Sequence, residues 1–455
     1  MIFKDMDRKL LNIIFLGIYL MILFSAEFAV LNMQKTIISS IHDEKPDFKV
    51  EGYSVTGIAY TVFSITVWLA PSLISILGPQ LPMVIATIGY ICYLLAFSVE
   101  EAWAMYMAAV VVGISEALLW TSQGNYLVLN SEPSTLDRNI GIFWILFSSA
   151  ELYGNLFIYF KMEGKKYIDG DTRKFVVYVM SAVAASSLFM FCLLGKPNNT
   201  SLNKETMKKE GPVQALKLTW SIFTTKNMML LCITFAFIGV QQAFRCGIYS
   251  ASVGFTLQFG DKAKQLVVLS GLFLGAGEFI GGLYQITLSG FTKKYKYGQS
   301  FVIGTGLVCQ LISYFLIYLN LPDSSVFGNT MDKAIIQSSS NIAVTCSLML
   351  GFADCCCHTQ MYSIMAIMFP ENSAQTCAIY KFTKGMFVAF TFYSSSHLGL
   401  HTQLAILVPL SLIGNITYNI VLRNVKNNLK KNDNSIEMRK NSVTTSEPCK
   451  ELKEI

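Results

Sequence analysis

KPNNTSLNKETMKKEGPVQALKLTWSIFTTK, residues 196–226, divides an otherwise apolar chain into two halves. A membrane-crossing helix needs about 20 mostly apolar residues, and stretches of that length recur on both sides of the break. Before it they fall near 10–31, 53–76, 81–99, 102–127, 139–160 and 174–195. After it they fall near 227–250, 265–291, 300–320, 341–368, 373–397 and 402–422. Six spans against six predicts an all-α membrane protein of twelve transmembrane helices in two six-helix bundles. The expected organisation is an N-terminal bundle over 1–195, a cytosolic linker over 196–226, a C-terminal bundle over 227–422 and a disordered cytosolic tail over 423–455. Within the linker, Pro212 to Phe223 alternates Leu, Trp and Lys, as a helix lying along the inner membrane surface would. A cleft between two such bundles can expose a small solute to alternate sides of the bilayer.

Composition agrees with this reading. Charged residues are 14% of the 455 and hydrophobic ones 53%, where soluble domains carry about 25% charged residues. A chain this apolar has its partner in the lipid bilayer. The formal charge of +6 follows topology and is no signal for nucleic acid. Most Lys and Arg fall on the side of the N-terminal arm, Arg138, the linker, the run Lys293, Lys294, Lys296, and the tail. That bias places both termini in the cytosol, against a minority at Lys161, Lys165, Lys166, Arg173 and Lys174. The plasma membrane and the endolysosomal membrane fit equally. Of the eleven cysteines, all but Cys449 lie inside spans, where they read as small packing residues rather than disulfides. The first span is too long for a signal peptide and lacks a small-residue cleavage pattern. The sequons at Asn198 and Asn199 fall in the linker, away from any glycosylating compartment.

Several motifs resemble the Unc-ninety-three-like branch of the major facilitator superfamily. They are LGPQLPMV (77–84), LWTSQGNY (119–126), RNIGIFW (138–144) with GN at 154–155, GLFLGAGEFIGG (271–282), LGFADCCCHTQ (350–360) and IYKFTKG (379–385). The resemblance runs over roughly residues 9–422, with the motifs in order. It implies a twelve-helix, two-bundle carrier fold; some relatives regulate potassium channels or escort other membrane proteins. The superfamily's charged loop between spans two and three is reduced here to Gly78-Pro79-Gln80. Its counterpart after span eight keeps Gly290, Lys293, Lys294 and Gly298 but has no Asp.

Ionisable residues inside spans carry the candidate chemistry, because each costs about 2.5–3.5 kcal/mol at the bilayer centre and must face protein or water. The second half has Glu278, Asp354, Lys381 and Lys384. Lys381 and Lys384 share a helix face and can pair with Asp354 or Glu278. Asp354 and His358, four apart, have the spacing of a proton relay. Two readings stand: a protonatable coupling site at Glu278 or Asp354 with Lys381 as counter-ion or anion-binding group, or fixed ion pairs joining spans eight, ten and eleven. The resemblance includes Glu278, Asp354 and Lys381 without assigning them a role. The first half has Glu27, Glu116 and Glu151, read either as a polar cavity or as mutually satisfied packing groups, with Arg245 as their partner across the cleft. Trp120, Gln123, Asn125 and Asn155 offer amides beside an aromatic wall, suited to orienting a solute or to hydrogen bonding between helices.

The glycines at 271, 275, 277, 281 and 282 sit in mid-membrane with no preceding strand, which excludes a nucleotide loop and points to close helix packing. Cys355, Cys356 and Cys357 point about 100° apart on a helix and cannot converge on a metal. His397 and His401 flank an outer turn. No nucleophile–base constellation is spaced for catalysis, so neither an enzyme nor a cofactor is expected. The function expected is a secondary transporter of a small polar or anionic solute. The alternative is a non-transporting regulator or trafficking partner of a channel subunit or receptor.

Overall fold

Long runs of Leu, Ile, Val, Phe and Ala become helices here because, in lipid, each backbone N–H and C=O must find its partner within its own segment. The computed structural model describes residues 8–131, 136–162, 168–196, 212–295, 297–369 and 372–444. In the first half the helices are α1 (Arg8–Glu44), α2 (Gly52–Thr66), α3 (Ala70–Leu77), α4 (Gln80–Val99), α5 (Ala102–Leu129), α6 (Leu136–Ser148), α7 (Ala150–Lys161) and α8 (Gly170–Phe191). α9 (Pro212–Phe223) follows, coinciding with the amphipathic helix expected there. The second half has α10 (Lys226–Ala243), a π-helical turn (Phe244–Ile248), α11 (Tyr249–Phe255), α12 (Ala263–Lys294), α13 (Gly298–Asn320), α14 (Ser340–Met368), α15 (Ser373–Ser395) and α16 (Leu400–Thr444). The sequons and Cys449 lie outside the described residues.

Among the described residues, ten segments are long and apolar enough to cross a membrane. Two of the twelve expected spans differ. The stretch at 53–76 is divided at Val67–Leu69, just before Pro71, into α2 and α3, because proline at the start of α3 cannot donate back into α2. The second, α15, is long enough, but Lys381, Lys384 and its Ser and Thr residues lower its apolarity. The expected span at 139–160 bends at Ser149, where α6 gives way to α7. α1 continues past residue 31 to Glu44 by burying Asn32, Gln34 and Thr36 against protein. Beyond Arg423, where an irregular tail was expected, α16 stays helical to Thr444. Extending a nucleated helix costs little, and neither Gly nor Pro intervenes between Asn415 and Thr444.

The first half packs around a core that includes Leu16, Leu23, Phe97, Phe143 and Val177. A second core, with Phe235, Met361 and Tyr418, belongs to the other half. A third joins the two, setting Tyr53, Tyr60 and Phe63 of α2 against Phe244, Ile248 and Phe392. Around the girth, large apolar groups such as Ile76, Trp103, Phe189 and Phe390 are exposed, as a lipid-facing surface requires.

The halves meet where α1 ends and α2 begins. Tyr53 donates from its hydroxyl to the Val326 carbonyl at 3.2 Å, and its ring stacks on Phe392 at 6.1 Å between centroids. The approach at Gly57 leaves no room for a side chain, since a Cβ there would lie 2.8 Å from the Tyr393 ring. Beside this seam Arg173, 1% exposed, binds Glu44 at 2.8 Å and Glu100 at 2.7 Å. Its other terminal nitrogen donates to Ser40, while Lys45 pairs with Glu100 at 2.5 Å. Burial alone would raise the Glu100 carboxyl, but hydrogen bonds from Lys45 and Arg173 outweigh it and hold the group below the ordinary carboxylate range.

Candidate functional site

The π-helical turn at Phe244–Ile248 interrupts the α10–α11 span and carries Arg245 into the middle of the protein. From there the guanidinium bridges two carboxylates on two other helices. Nη1 lies 2.9 Å from Glu278 on α12, and Nη2 lies 3.0 Å from Asp354 on α14. A planar fork with several donors can hold two carboxylates at once, which a lysine ammonium does less well. This changes two expectations. Arg245 pairs within its own half rather than with Glu27, Glu116 or Glu151, and it takes the place beside Glu278 and Asp354 expected for Lys381 or Lys384.

The lysines reach aromatic faces instead. Lys381 Nζ lies 5.6 Å from the centre of the Trp120 ring, across the boundary between the halves, and Lys384 Nζ lies 5.7 Å from that of Tyr380. Asp354 does face His358, as their spacing suggests, but Oδ1 is 3.5 Å from Nε2, beyond a good hydrogen bond. His358 Nδ1 is 2.6 Å from the Tyr380 hydroxyl. Carboxylate, imidazole and phenol thus form a row from α14 to α15. Asp354 Oδ1 and Arg245 Nε and Nη1 are buried without hydrogen-bond partners, so the Nη1 contact with Glu278 is an ion pair and not an aligned hydrogen bond.

Across the seam the first half presents a different set. Asn155 on α7 donates to the Glu151 carboxylate at 3.1 Å and accepts from Asn32 on α1 at 3.3 Å. α12 meets this cluster with bare backbone: a Cβ at Gly271 would lie 2.5 Å from the Asn32 amide, and one at Gly275 would lie 2.6 Å from Glu151 Cβ. Glycine here sets the carboxylate and amides of one half directly against the helix that carries Glu278. Glu27 and Glu116 belong to α1 and α5 of the same half. Gln123 is buried and Asn125 half-buried on α5. Next to them Tyr126 turns away to donate to the Gly195 carbonyl.

Two residues were not singled out in the sequence. Gln242 donates to the Tyr60 hydroxyl across the seam at 3.0 Å, and the Gln241 amide is buried with neither end hydrogen-bonded. A pair of amides three residues before an in-span arginine was the available signal. Cys355 and Cys356 pack to different neighbours, against Gly281 and Gly306. Among the described residues, no three His, Cys, Asp or Glu side chains are grouped to hold a metal ion.

Two helical bundles meeting around buried charges give the chain a fold of the major facilitator type. In solved structures the same fold appears in the nucleoside transporter NupG, with a TM-score of 0.60 at 15% identity over 89% of this chain and 98% of that one. It appears also in a POT family transporter in complex with 5-aminolevulinic acid, with a TM-score of 0.60 at 14% identity over 90% and 96%. Within that class the chain belongs to the UNC-93 family, whose model, described as ion channel regulatory protein UNC-93, matches residues 47–418. The UNC93-like protein MFSD11 of Xenopus tropicalis is 34% identical over 431 residues, covering 90% of this chain and 96% of that protein.

Proposed function

We propose that this UNC-93 family protein is a secondary transporter of a small polar solute, working by alternating access. Residues 1–195 would rock against 227–422 about a midplane site, with twelve crossings and both termini in the cytosol. Glu278 and Asp354 serve as the coupling groups, and Arg245 is their shared counter-charge. One observation carries this reading: a single buried guanidinium divided between two carboxylates, in the half that faces Glu151 and Asn155 across the seam. Protonating either carboxylate releases one arm of the fork. Charge uptake would thereby be tied to the packing of α10, α12 and α14. The reading is non-enzymatic and needs no cofactor.

The test uses purified protein in proteoliposomes and a solute selected by thermal shift from a compound library. Replacing both carboxylates, Glu278→Gln with Asp354→Asn, is expected to abolish accumulation driven by a pH gradient while solute exchange continues. Undiminished accumulation in that variant overturns the mechanism.

The family description, an ion channel regulatory protein, supports a second reading in which the chain binds a channel subunit and moves nothing. It predicts stable co-purification with another membrane protein and no solute-dependent thermal shift.

A further inference from the structure

The charges inside the expected spans do not balance. Glu27, Glu116, Glu151, Glu278 and Asp354 are set against Arg245, Lys381 and Lys384, and Arg245 is committed to Glu278 and Asp354. The carboxylate surplus therefore lies with the first half. The helices that carry Glu27 and Glu116 also carry an aromatic wall. Phe24 stands three residues before Glu27 on α1, and Trp120 stands one turn beyond Glu116 on α5; Phe28, the next residue after Glu27, packs on Phe24 at 5.2 Å between centroids. The two faces touch, with Phe24 and Trp120 at 5.3 Å between centroids. Phe147 of α6 closes the wall, 5.2 Å from both Phe24 and Trp120 and 5.8 Å from Phe28.

Two independent details say what such a wall would hold. Glu27 Oε2 is buried and has no hydrogen-bond partner, an arrangement that is costly unless a cation or proton comes to it. The Trp120 face already has a cation over it, the Lys381 ammonium from the opposite half. Aromatic faces beside carboxylates, visited by the chain's own ammonium, make a receptor for an ammonium group.

We infer that Phe24, Phe28, Trp120 and Phe147, with Glu27 and Glu116, form a binding site for a small substituted ammonium, and that Lys381 is its built-in competitor. Such a ligand displaces Lys381 from Trp120 and so breaks a contact between the halves, which couples occupancy to their rocking. The inference rests on the transport reading above and makes its solute cationic, where the sequence pointed to a polar or anionic one.

Choline is the probe, with dimethylbutanol as its neutral carbon isostere and succinate as an anion, titrated into the purified full-length protein by tryptophan fluorescence and thermal shift. Choline is expected to bind saturably, dimethylbutanol at least about tenfold more weakly, and succinate not at all. Lys381→Gln should tighten choline about tenfold and Glu27→Gln should weaken it about tenfold. A gain of affinity cannot come from misfolding. Equal responses to choline and dimethylbutanol, or weaker choline binding in Lys381→Gln, overturn the site. A proteoliposome counterflow assay separates the two proposals. Choline binding without counterflow of any solute leaves the site and sinks transport. Counterflow of another solute without choline binding leaves transport and sinks the site.

Discussion

Glu100 is the one non-glycine residue with positive φ among those described, at φ 56° and ψ 38°. A left-handed conformation costs a side chain about 1–2 kcal/mol, so something must hold this residue there. That something is the pair of cations it meets, Arg173 and Lys45. Arg173→Ala would leave Glu100 buried beside Lys45 alone and should cost about 3–5 kcal/mol, read as an early thermal melt in detergent. The pH dependence has a definite sign. Because the folded carboxyl titrates below its unfolded value, its contribution is complete above the ordinary glutamate pKa of about 4.3. It is then lost as the pH falls through the lower folded value. Melts of the parent should therefore fall on acidification below that point, and Glu100→Gln should flatten the fall. A variant melting curve parallel to the parent's would refute the assignment. From sequence alone Arg173 was only an exception to the charge bias, since its partners are far away along the chain, at Glu44 and Glu100.

α12 and α14 cross so closely that backbone meets backbone. A Cβ at Gly277 would lie 2.0 Å from the Leu348 carbonyl oxygen, and one at Gly351 would lie equally near that of Leu274. Gly277→Ala should cost about 1–3 kcal/mol from overpacking. Gly282→Ala, where nothing lies within 4 Å, should melt as the parent does, and equal losses at both would refute the packing argument. This close crossing was legible in the sequence, because small residues at helical spacing have few uses inside a membrane. The partner of Arg245 was not. Helix pairing depends on how each helix is rotated about its axis, and hydropathy fixes only which residues are apolar. The division of α2 from α3 could be read from Pro71, but the long helical extension of α16 had no apolar period to announce it.

At the scale of the whole molecule, the halves are fastened where Tyr53 reaches Val326 and Phe392. In an alternating-access cycle this seam must part. With the exposed Cys92 and Cys192 replaced, a cysteine at Tyr53 should react slowly with a membrane-impermeant maleimide and faster by about tenfold when a transported solute is added. Identical rates with and without solute would argue for a fixed seam, as expected of a channel regulator. Disruption of the seam by Tyr60→Phe, which removes the hydroxyl that accepts from Gln242, should raise the basal labelling rate.

The turn at Phe244–Ile248 holds one residue more than an α-helix would allot to it. A helix with such a surplus can pass it along its length like a wrinkle in a carpet. Each step rotates the residues it crosses by about 100° and exchanges hydrogen bonds one at a time, without melting the span. Were the wrinkle to travel past Arg245, the guanidinium would swing off Glu278 and Asp354 while both ends of the helix stayed anchored. Such a rotation would need no bulk movement of either bundle.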